Sequence, residues 1–417
     1  MHRLPHVGII TSGYLPVPNV LGGAVEALDM MLLRENEKQS SFNFTIYSTW
    51  TEGVEDESKN FDHARFEFVK TPWFVKFADS CVYAFAKYVL RKKKLMSYRY
   101  IMQRLWYIGK VAKKLSNEDL DAILIENHAT LFMVMKKRGN AKRYKGRVYY
   151  HLHNELTGGF GCLREISQVH KVLGVSRYIV NTLDDFLNKE TGSGLVESQK
   201  AVWRNCVDTE RFNPKNELTQ QRGKDFRRKL DIPENSTVLL FSGRLTQEKG
   251  AEELLEAFLL ADAPNTILVI VGAFFYNSNI QSPFEQKLAK IAQQANDRIR
   301  FTGFVDYADM PAIYAMSDIC CLPSIWNDPA PLAVIEALAS GKPLITTKSG
   351  GIPEYADDQA AVILEKDENL VSNLSSAIKN LAADPKKRED MGRHGRLLSE
   401  GLSASAYLEQ LIALFKD

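Results

Sequence analysis

The sequence predicts an α/β protein made of two Rossmann-like, doubly wound parallel-sheet domains facing a cleft. Three observations carry this expectation. The chain has 417 residues, too many for one ordinary core and enough for two domains of about 200 residues each. In both halves apolar, β-branched runs alternate with helical patterns, as parallel strands joined by crossover helices require. Between the halves, Trp203 to Asp208 opens a polar stretch through Pro214 that predicts the boundary and hinge.

In the first half the strand candidates are Val7 to Thr11, Phe44 to Tyr47, Ala122 to Ile125, Arg147 to His151 and Lys171 to Val175. In the second half they are Thr237 to Ser242, Thr266 to Val271, Ile299 to Phe301, Ile319 to Leu322 and Pro343 to Thr346, with a helical pattern over Ala251 to Leu260. A last pattern, about Ala404 to Phe415, predicts a helix that crosses back onto the first domain. The domains are then 1–203, 204–403 and a tail helix over 404–417.

Composition narrows the class. Hydrophobic residues make up 45% and charged residues 25%, with 25 Gly and 15 Pro, which describes a globular chain without a disordered tract. No run approaches the ~18 to 20 apolar residues of a membrane span. The chain moves directly into the strand-like Val7 to Ile10 without a signal-peptide pattern, which predicts a cytoplasmic protein. Five cysteines, Cys81, Cys162, Cys206, Cys320 and Cys321, form no CxxC pair and an odd total. That argues against a disulfide framework or zinc site and predicts reduced core residues.

The net charge of +2 hides an asymmetry, +8 over residues 1–200 and −6 over the rest. Between Lys87 and Lys114 there are ten Lys/Arg and no acid, interleaved with Tyr88, Tyr98, Tyr100, Trp106 and Tyr107. Two readings stay open, a solvated helical face and peripheral association with an anionic membrane. The near-neutral total argues against a nucleic-acid partner.

The strongest local signal is Phe241 to Gly250, which leaves a strand, passes Arg244 and Lys249 five residues apart, and enters a helix. A helix N-terminus offers free N–H groups, and a guanidinium with an ammonium completes a site for a diphosphate. Its partner is Pro323 to Leu338, again after an apolar strand candidate. Asp328 reads as the N-cap and Pro329 as the first helical residue, with the helix ending at Gly341. On that reading Glu336 lies about 12 Å along the axis from Asp328. Such spacing suits two acceptors gripping hydroxyls at opposite ends of a nucleotide sugar better than a hydrolytic pair.

Several of these stretches together resemble a family 4 retaining glycosyltransferase of the GT-B fold, particularly those of bacterial surface polysaccharide or spore-coat assembly. The resemblance covers nearly the whole chain. It rests on Gly22-Gly23, His153 in Tyr150 to Asn154, the Asn205 to Phe212 stretch, the Arg244/Lys249 pair and Phe301 to Val305. The acidic pair ending at Glu336 and Gly350-Gly351-Ile352-Pro353-Glu354 complete it. It implies a nucleotide diphosphate sugar as donor substrate, no other cofactor and no metal. Arg244 and Lys249 would hold the diphosphate, Glu336 the ribose hydroxyls, and Asp328 would sit at the transferred sugar. Gly243, Leu332 and Ala333 would extend the donor grip. This sequence has Asp328 where the family pattern usually has Glu, and Pro329 and Pro331 remove two N–H groups from a turn that donates to the sugar in relatives.

In the first domain, Gly22 and Gly23 precede the helical pattern Ala24 to Leu33 and let backbone approach a ligand, so this helix start is expected to face the phosphates too. The absence of GxGxxG after the first strand argues against a nicotinamide site. His153 ends a strand, where a neutral imidazole can donate to a sugar hydroxyl, with His151 and His128 as competing candidates. The catalytic set is then Arg244, Lys249, Asp328 and His153. No Asp-x-Asp element stands ready to chelate a metal, so protein cations are expected at the departing diphosphate. The acceptor implied is a saccharide or lipid-linked saccharide at the inner face of the membrane. A nucleotide-sugar epimerase of the same fold and a non-catalytic sugar-nucleotide-binding subunit remain alternatives.

Overall fold

The computed structural model describes residues 3–90, 99–273 and 282–416. Its contacts divide the chain into two units, Met1–Trp203 with Leu408–Asp417, and Arg204–Tyr407.

The first unit is built on β1 (His6–Ile10), β2 (Asn43–Thr49), β3 (Ala64–Val69), β4 (Ala122–Glu126), β5 (Val148–Leu152), β6 (Lys171–Gly174) and β7 (Lys200–Val202). They form one parallel sheet in the order β3-β2-β1-β4-β5-β6-β7. Central β4, Ala-Ile-Leu-Ile-Glu, is buried at all five positions, as a strand covered by helices on both faces must be. Ser176 caps the helix Arg177–Thr191 by accepting from Ile179 N (3.3 Å), and Gly192, with φ 77°, ends it.

The second unit carries β8 (Thr237–Ser242), β9 (Thr266–Val271), β10 (Ile299–Gly303), β11 (Ile319–Leu322), β12 (Leu344–Thr347) and β13 (Ala361–Leu364). These too form one parallel sheet, ordered β10-β9-β8-β11-β12-β13. Its core joins Leu239 and Phe241 of β8 and Leu268 and Ile270 of β9 to Leu254, Leu255 and Phe258 of the helix Ala251–Ala261 and to Leu374 and Ile378 of Leu370–Ala383. In each sheet the order reverses beside the first strand, between β1 and β4 and between β8 and β11. Such switch points open a crevice at the carboxyl ends of the strands, where ligands of doubly wound folds bind.

The helix Ala404–Leu414 passes from the second unit into the first. Its end is tied to the first sheet by Phe415, which stacks on Tyr149 (ring centroids 4.3 Å) and meets Phe42 edge-on (5.7 Å). Four of the cysteines are buried, but Cys81 is exposed. It lies on the outward side of the helix Trp73–Tyr88 and is not the core residue expected from composition.

Candidate functional site

In the second unit, two loops meet at the β8/β11 switch point. Gly243 N donates to Val271 O (3.0 Å) and Leu245 N to Ala273 O (3.3 Å), so the loop after β8 is held against the end of β9. Arg244, between them, is exposed, and among the described residues its guanidinium has no partner. The chain then turns and presents the carbonyl of Glu248 to the loop after β11. That oxygen accepts from Ile325 N (3.0 Å), Trp326 N (3.2 Å) and Ser324 Oγ (3.2 Å). Gly250, at φ 73°, lets the loops come this close, because a Cβ there would lie 1.9 Å from Pro323 O.

The consequence is that Lys249 Nζ pairs with Asp328 Oδ2. The loop after β12 braces Asp328 from behind. Gly351 N donates to Asp328 O (2.8 Å), and a Cβ on Gly350 would lie 2.3 Å from the same oxygen. Asp328 is therefore not a helix cap, contrary to the sequence expectation. The helix is Leu332–Ala339 with Pro331 at its N-cap. Neither Pro329 nor Pro331 has an N–H, and a residue before proline is pushed out of the helical region, so the helix starts only beyond the second proline. The axial separation anticipated for Asp328 and Glu336 lapses with it.

Glu336 is buried within this short helix. Tyr314 OH donates to its Oε2 (2.9 Å), and Ser242 Oγ at the end of β8 lies 2.9 Å from the same phenol. Burial pushes the Glu336 carboxyl pKa up, and hydrogen bonds from Tyr314 and Tyr307 and the Arg211 charge only partly offset it. Leu332 and Ala333 are the first two helical residues, where backbone N–H groups have no intrahelical acceptor.

The first unit gathers its polar groups at the β1/β4 switch point. Gly22 (φ 81°) and Gly23 (φ 110°) lead into the helix Ala24–Gln39. A Cβ on Gly23 would lie 2.2 Å from Glu26 Oε2. Glu26 is buried in the first turn and accepts from Ser12 Oγ (2.9 Å) and from its own backbone N–H. This helix end thus already holds a carboxyl group. Burial raises the Glu26 pKa.

Behind it, Glu126 at the end of β4 pairs in register with His151 of β5. Glu126 Oε1 lies 3.1 Å from His151 Nδ1, Glu126 Oε2 lies 3.2 Å from His153 Nε2, and the two imidazole nitrogens are 3.2 Å apart. Among the described residues these three form a group able to hold a metal ion, with ligand atoms within 4.8 Å of one another. They also close on themselves, since each facing imidazole nitrogen has a carboxylate oxygen of Glu126 as partner. Burial pushes the Glu126 carboxyl up, but His151 and His153 outweigh it and hold it down at about 2. Burial and the neighbouring His151 lower His153 to about 4 despite Glu126. His128 is lowered to about 4 by burial, Arg104 and His153.

Arg104 does not belong to the basic surface with which the sequence groups it. It is buried, with Nε and Nη2 on Thr130 Oγ1 (3.1 and 2.9 Å), Nη1 on Ser12 O, and its guanidinium 4.4 Å from the Tyr14 ring centroid.

The sequence around the second-unit loops matches a known family. Residues 223–398 fit the family described as Glycosyl transferases group 1. Those residues are similar to the group 1 glycosyl transferases. Over 401 residues it is 24% identical to spore coat protein SA of Bacillus subtilis (strain 168), covering 94% of each chain. Over 198 residues, 46% of this chain and 49% of the relative, it is 30% identical to the GDP-mannose-dependent monoacylated alpha-(1-6)-phosphatidylinositol monomannoside mannosyltransferase of Corynebacterium glutamicum. The crystal structure of Anabaena Alr3699/HepE in complex with UDP superposes with a TM-score of 0.67 at 18% identity, covering 99% of this chain and 100% of that one. The fold is that of the GT-B glycosyltransferases.

The matched residues 223–398 contain Gly243, Arg244, Lys249, Asp328, Leu332, Ala333 and Glu336, and the loops bearing Lys249 and Asp328 are joined directly. Gly22, Gly23 and His153 lie in the first unit. Sequence reasoning missed Glu126, Glu26 and Arg104 there, although His151 and His153, two apart on one strand, gave a signal of a shared face.

The Glu126–His153 pair makes folding acid-sensitive. With a folded pKa below the ordinary 6.5, the neutral His153 contributes stability that is present above pH 6.5 and lost as pH falls toward about 4. Glu126 contributes stability present above its ordinary 4.5 and lost toward about 2. Fully buried Asp29, whose pKa burial raises well above 3.8, acts in the opposite sense. A comparison with one variant separates these contributions: His153→Gln should flatten the fall in Tm between pH 6.5 and 4. Equal slopes in variant and parent would remove His153 from this account.

Proposed function

We propose that the chain is a retaining glycosyltransferase that moves a hexosyl or related sugar from a nucleotide diphosphate sugar to a saccharide or lipid-linked acceptor in cell-surface polysaccharide or glycoconjugate assembly. The observation that carries this reading is the joined pair of loops within the matched residues 223–398, with Lys249 on Asp328, Arg244 open beside them and Glu336 buried in the helix that follows. Sugar transfer builds charge on the departing diphosphate, and fixed cations at that oxygen are where catalysis concentrates. Arg244 and Lys249 supply them in place of a metal. Once the diphosphate takes Lys249, Asp328 is released to accept from a hydroxyl of the transferred sugar.

Glu336 accepts from the ribose hydroxyls, and the backbone of Gly243, Leu332 and Ala333 completes the grip. Gly22, Gly23 and His153 contribute from the first unit, the acceptor half; His153 is neutral at pH 7, and with its Nε2 donating to Glu126 its Nδ1 is left to accept from a sugar hydroxyl. A UDP-sugar is the first donor to try, given the UDP complex of HepE. A lipid-linked acceptor is supported by the phosphatidylinositol mannoside acceptor in the name of the corynebacterial relative. No helix among the described residues is long and apolar enough to cross a membrane. Transfer would take place in the cytoplasm at the inner membrane face, with peripheral association through residues 87–114, of which 91–98 lie outside the described residues. No nucleic acid takes part.

A thermal-shift screen against UDP- and GDP-sugars tests the donor. A ligand at ~100 times its Kd stabilises by about 2.7 kcal/mol, which raises Tm by about 5 to 10 °C in a unit of this size. Product analysis follows in the presence of a chelator. Sugar appearing on the acceptor with its anomeric configuration retained is the expected result. An altered sugar released from donor alone would identify an epimerase, and no shift with any nucleotide sugar would refute the reading.

A further inference from the structure

The helix Trp73–Tyr88 buries little of itself. Its inward side holds Val75, Asp79 and Ala86. Asp79 fixes it in place by accepting from Met102 N (2.7 Å) and Gln103 N (3.1 Å), the first turn of the helix Ile101–Leu115. Phe74 adds an edge contact to Trp106 (ring centroids 5.7 Å), whose Nε1 donates to Lys70 O (3.1 Å).

At 100° per residue, Trp73, Phe74, Phe77, Cys81, Ala84, Phe85 and Tyr88 fall within an arc of about 120° on the opposite side. Trp73 is 78% exposed, Phe77 64% and Tyr88 69%, and Val89 and Leu90 continue the apolar surface. Five exposed aromatic side chains on one face are far beyond the scattered apolar residues of an ordinary surface. Lys76 and Lys87 flank them, and the only acid of the helix, Asp79, is turned inward.

We propose that this face docks on an anionic lipid bilayer, the helix lying in the plane of the interface with its aromatic side chains among the headgroups. Trp and Tyr are the residues that favour this depth, and flanking lysines add attraction to anionic lipid. The charges select this occupant over a second copy of the chain, because an isologous contact would bring Lys76 and Lys87 of each copy together without a carboxylate to meet them. The inference deepens the reading of a lipid-linked acceptor, on which it rests, by assigning the inserting surface to a helix that lies almost wholly before the basic stretch.

The test is co-sedimentation of the full chain with vesicles of phosphatidylcholine alone or with one quarter phosphatidylglycerol. Binding to the anionic vesicles should exceed binding to the neutral ones and weaken with salt. Trp73→Ser/Phe77→Ser/Tyr88→Ser should lower the partition at least about tenfold, and Lys76→Glu/Lys87→Glu should reduce the preference for anionic lipid. Both variants should keep the parent's Tm and its thermal shift with nucleotide sugar, which shows that they fold. Unchanged partition of the triple variant, or a parent that stays in the supernatant, would overturn the proposal. So would a dimer that the triple variant dissolves while neither protein binds vesicles. Vesicle binding without any nucleotide-sugar binding would sink the transferase reading and leave the docking surface standing. Transfer to a soluble acceptor without vesicle binding would do the reverse.

Discussion

Arg244→Ala should lower kcat/KM by about a hundred- to a thousandfold, the loss typical of removing one group that stabilises charge in the transition state, while leaving Tm within about 2 °C. The two halves of that expectation have separate causes. Arg244 is exposed and has no partner among the described residues, so folding gains nothing from it and only a ligand can. Lys249→Ala should cost as much activity but should also destabilise, because it strands the Asp328 carboxylate, whose side chain is 8% exposed. An unpaired, largely buried charge costs about 1 to 3 kcal/mol. Lys249→Ala/Asp328→Asn should recover most of that Tm and none of the activity. Steady-state kinetics with the donor found by thermal shift, alongside calorimetry, gives both readouts. Full activity in the Arg244 variant would show that the diphosphate binds elsewhere.

What could be read from the sequence follows the sheets from centre to edge. The central strands β8, β9 and β11 are continuous apolar runs and were predicted at their observed bounds. The strands without a prediction, β3, β7 and β13, all lie at sheet edges. There one neighbour is missing and burial is partial, so Ala-Arg-Phe-Glu-Phe-Val of β3 alternates instead of running apolar. In the candidate site, Arg244 and Lys249 on the loop after β8 and Glu336 in its helix were placed from sequence, because loop charges after a strand and an acid in an apolar helix are local features.

Three other features were not legible, because each depends on a partner distant in sequence. Asp328 reads as a cap until Lys249, 79 residues away, takes its carboxylate. Arg104 reads as surface charge until Ser12 and Thr130 enclose it. Glu126 looks like the polar end of a strand until the β4–β5 register sets it against His151. The start of the helix Leu332–Ala339 was misplaced for a local reason, since a second proline overrode the first.

Gly250→Ala should be among the most damaging single methyl groups in the second unit. At φ 73° the residue is left-handed, a conformation that costs a non-glycine residue about 1 kcal/mol or more. The larger cost is steric, because the new Cβ would sit 1.9 Å from Pro323 O, and the obstacle is backbone that cannot rotate away. Either the loop after β8 or the loop after β11 must withdraw, breaking the three hydrogen bonds on Glu248 O that join them. A total of about 3 kcal/mol follows, or about 6 to 12 °C in Tm for a unit of this size. Withdrawal also parts Lys249 from Asp328, so the variant should lose donor affinity along with stability, and a saturating nucleotide sugar should recover less Tm than it does in the parent. Gly161→Ala is the control, a left-handed glycine at φ 72° with nothing within 4 Å of its Cβ position. It should show only the conformational cost. Equal losses in the two variants would mean that the close approach of the two loops contributes nothing beyond backbone conformation.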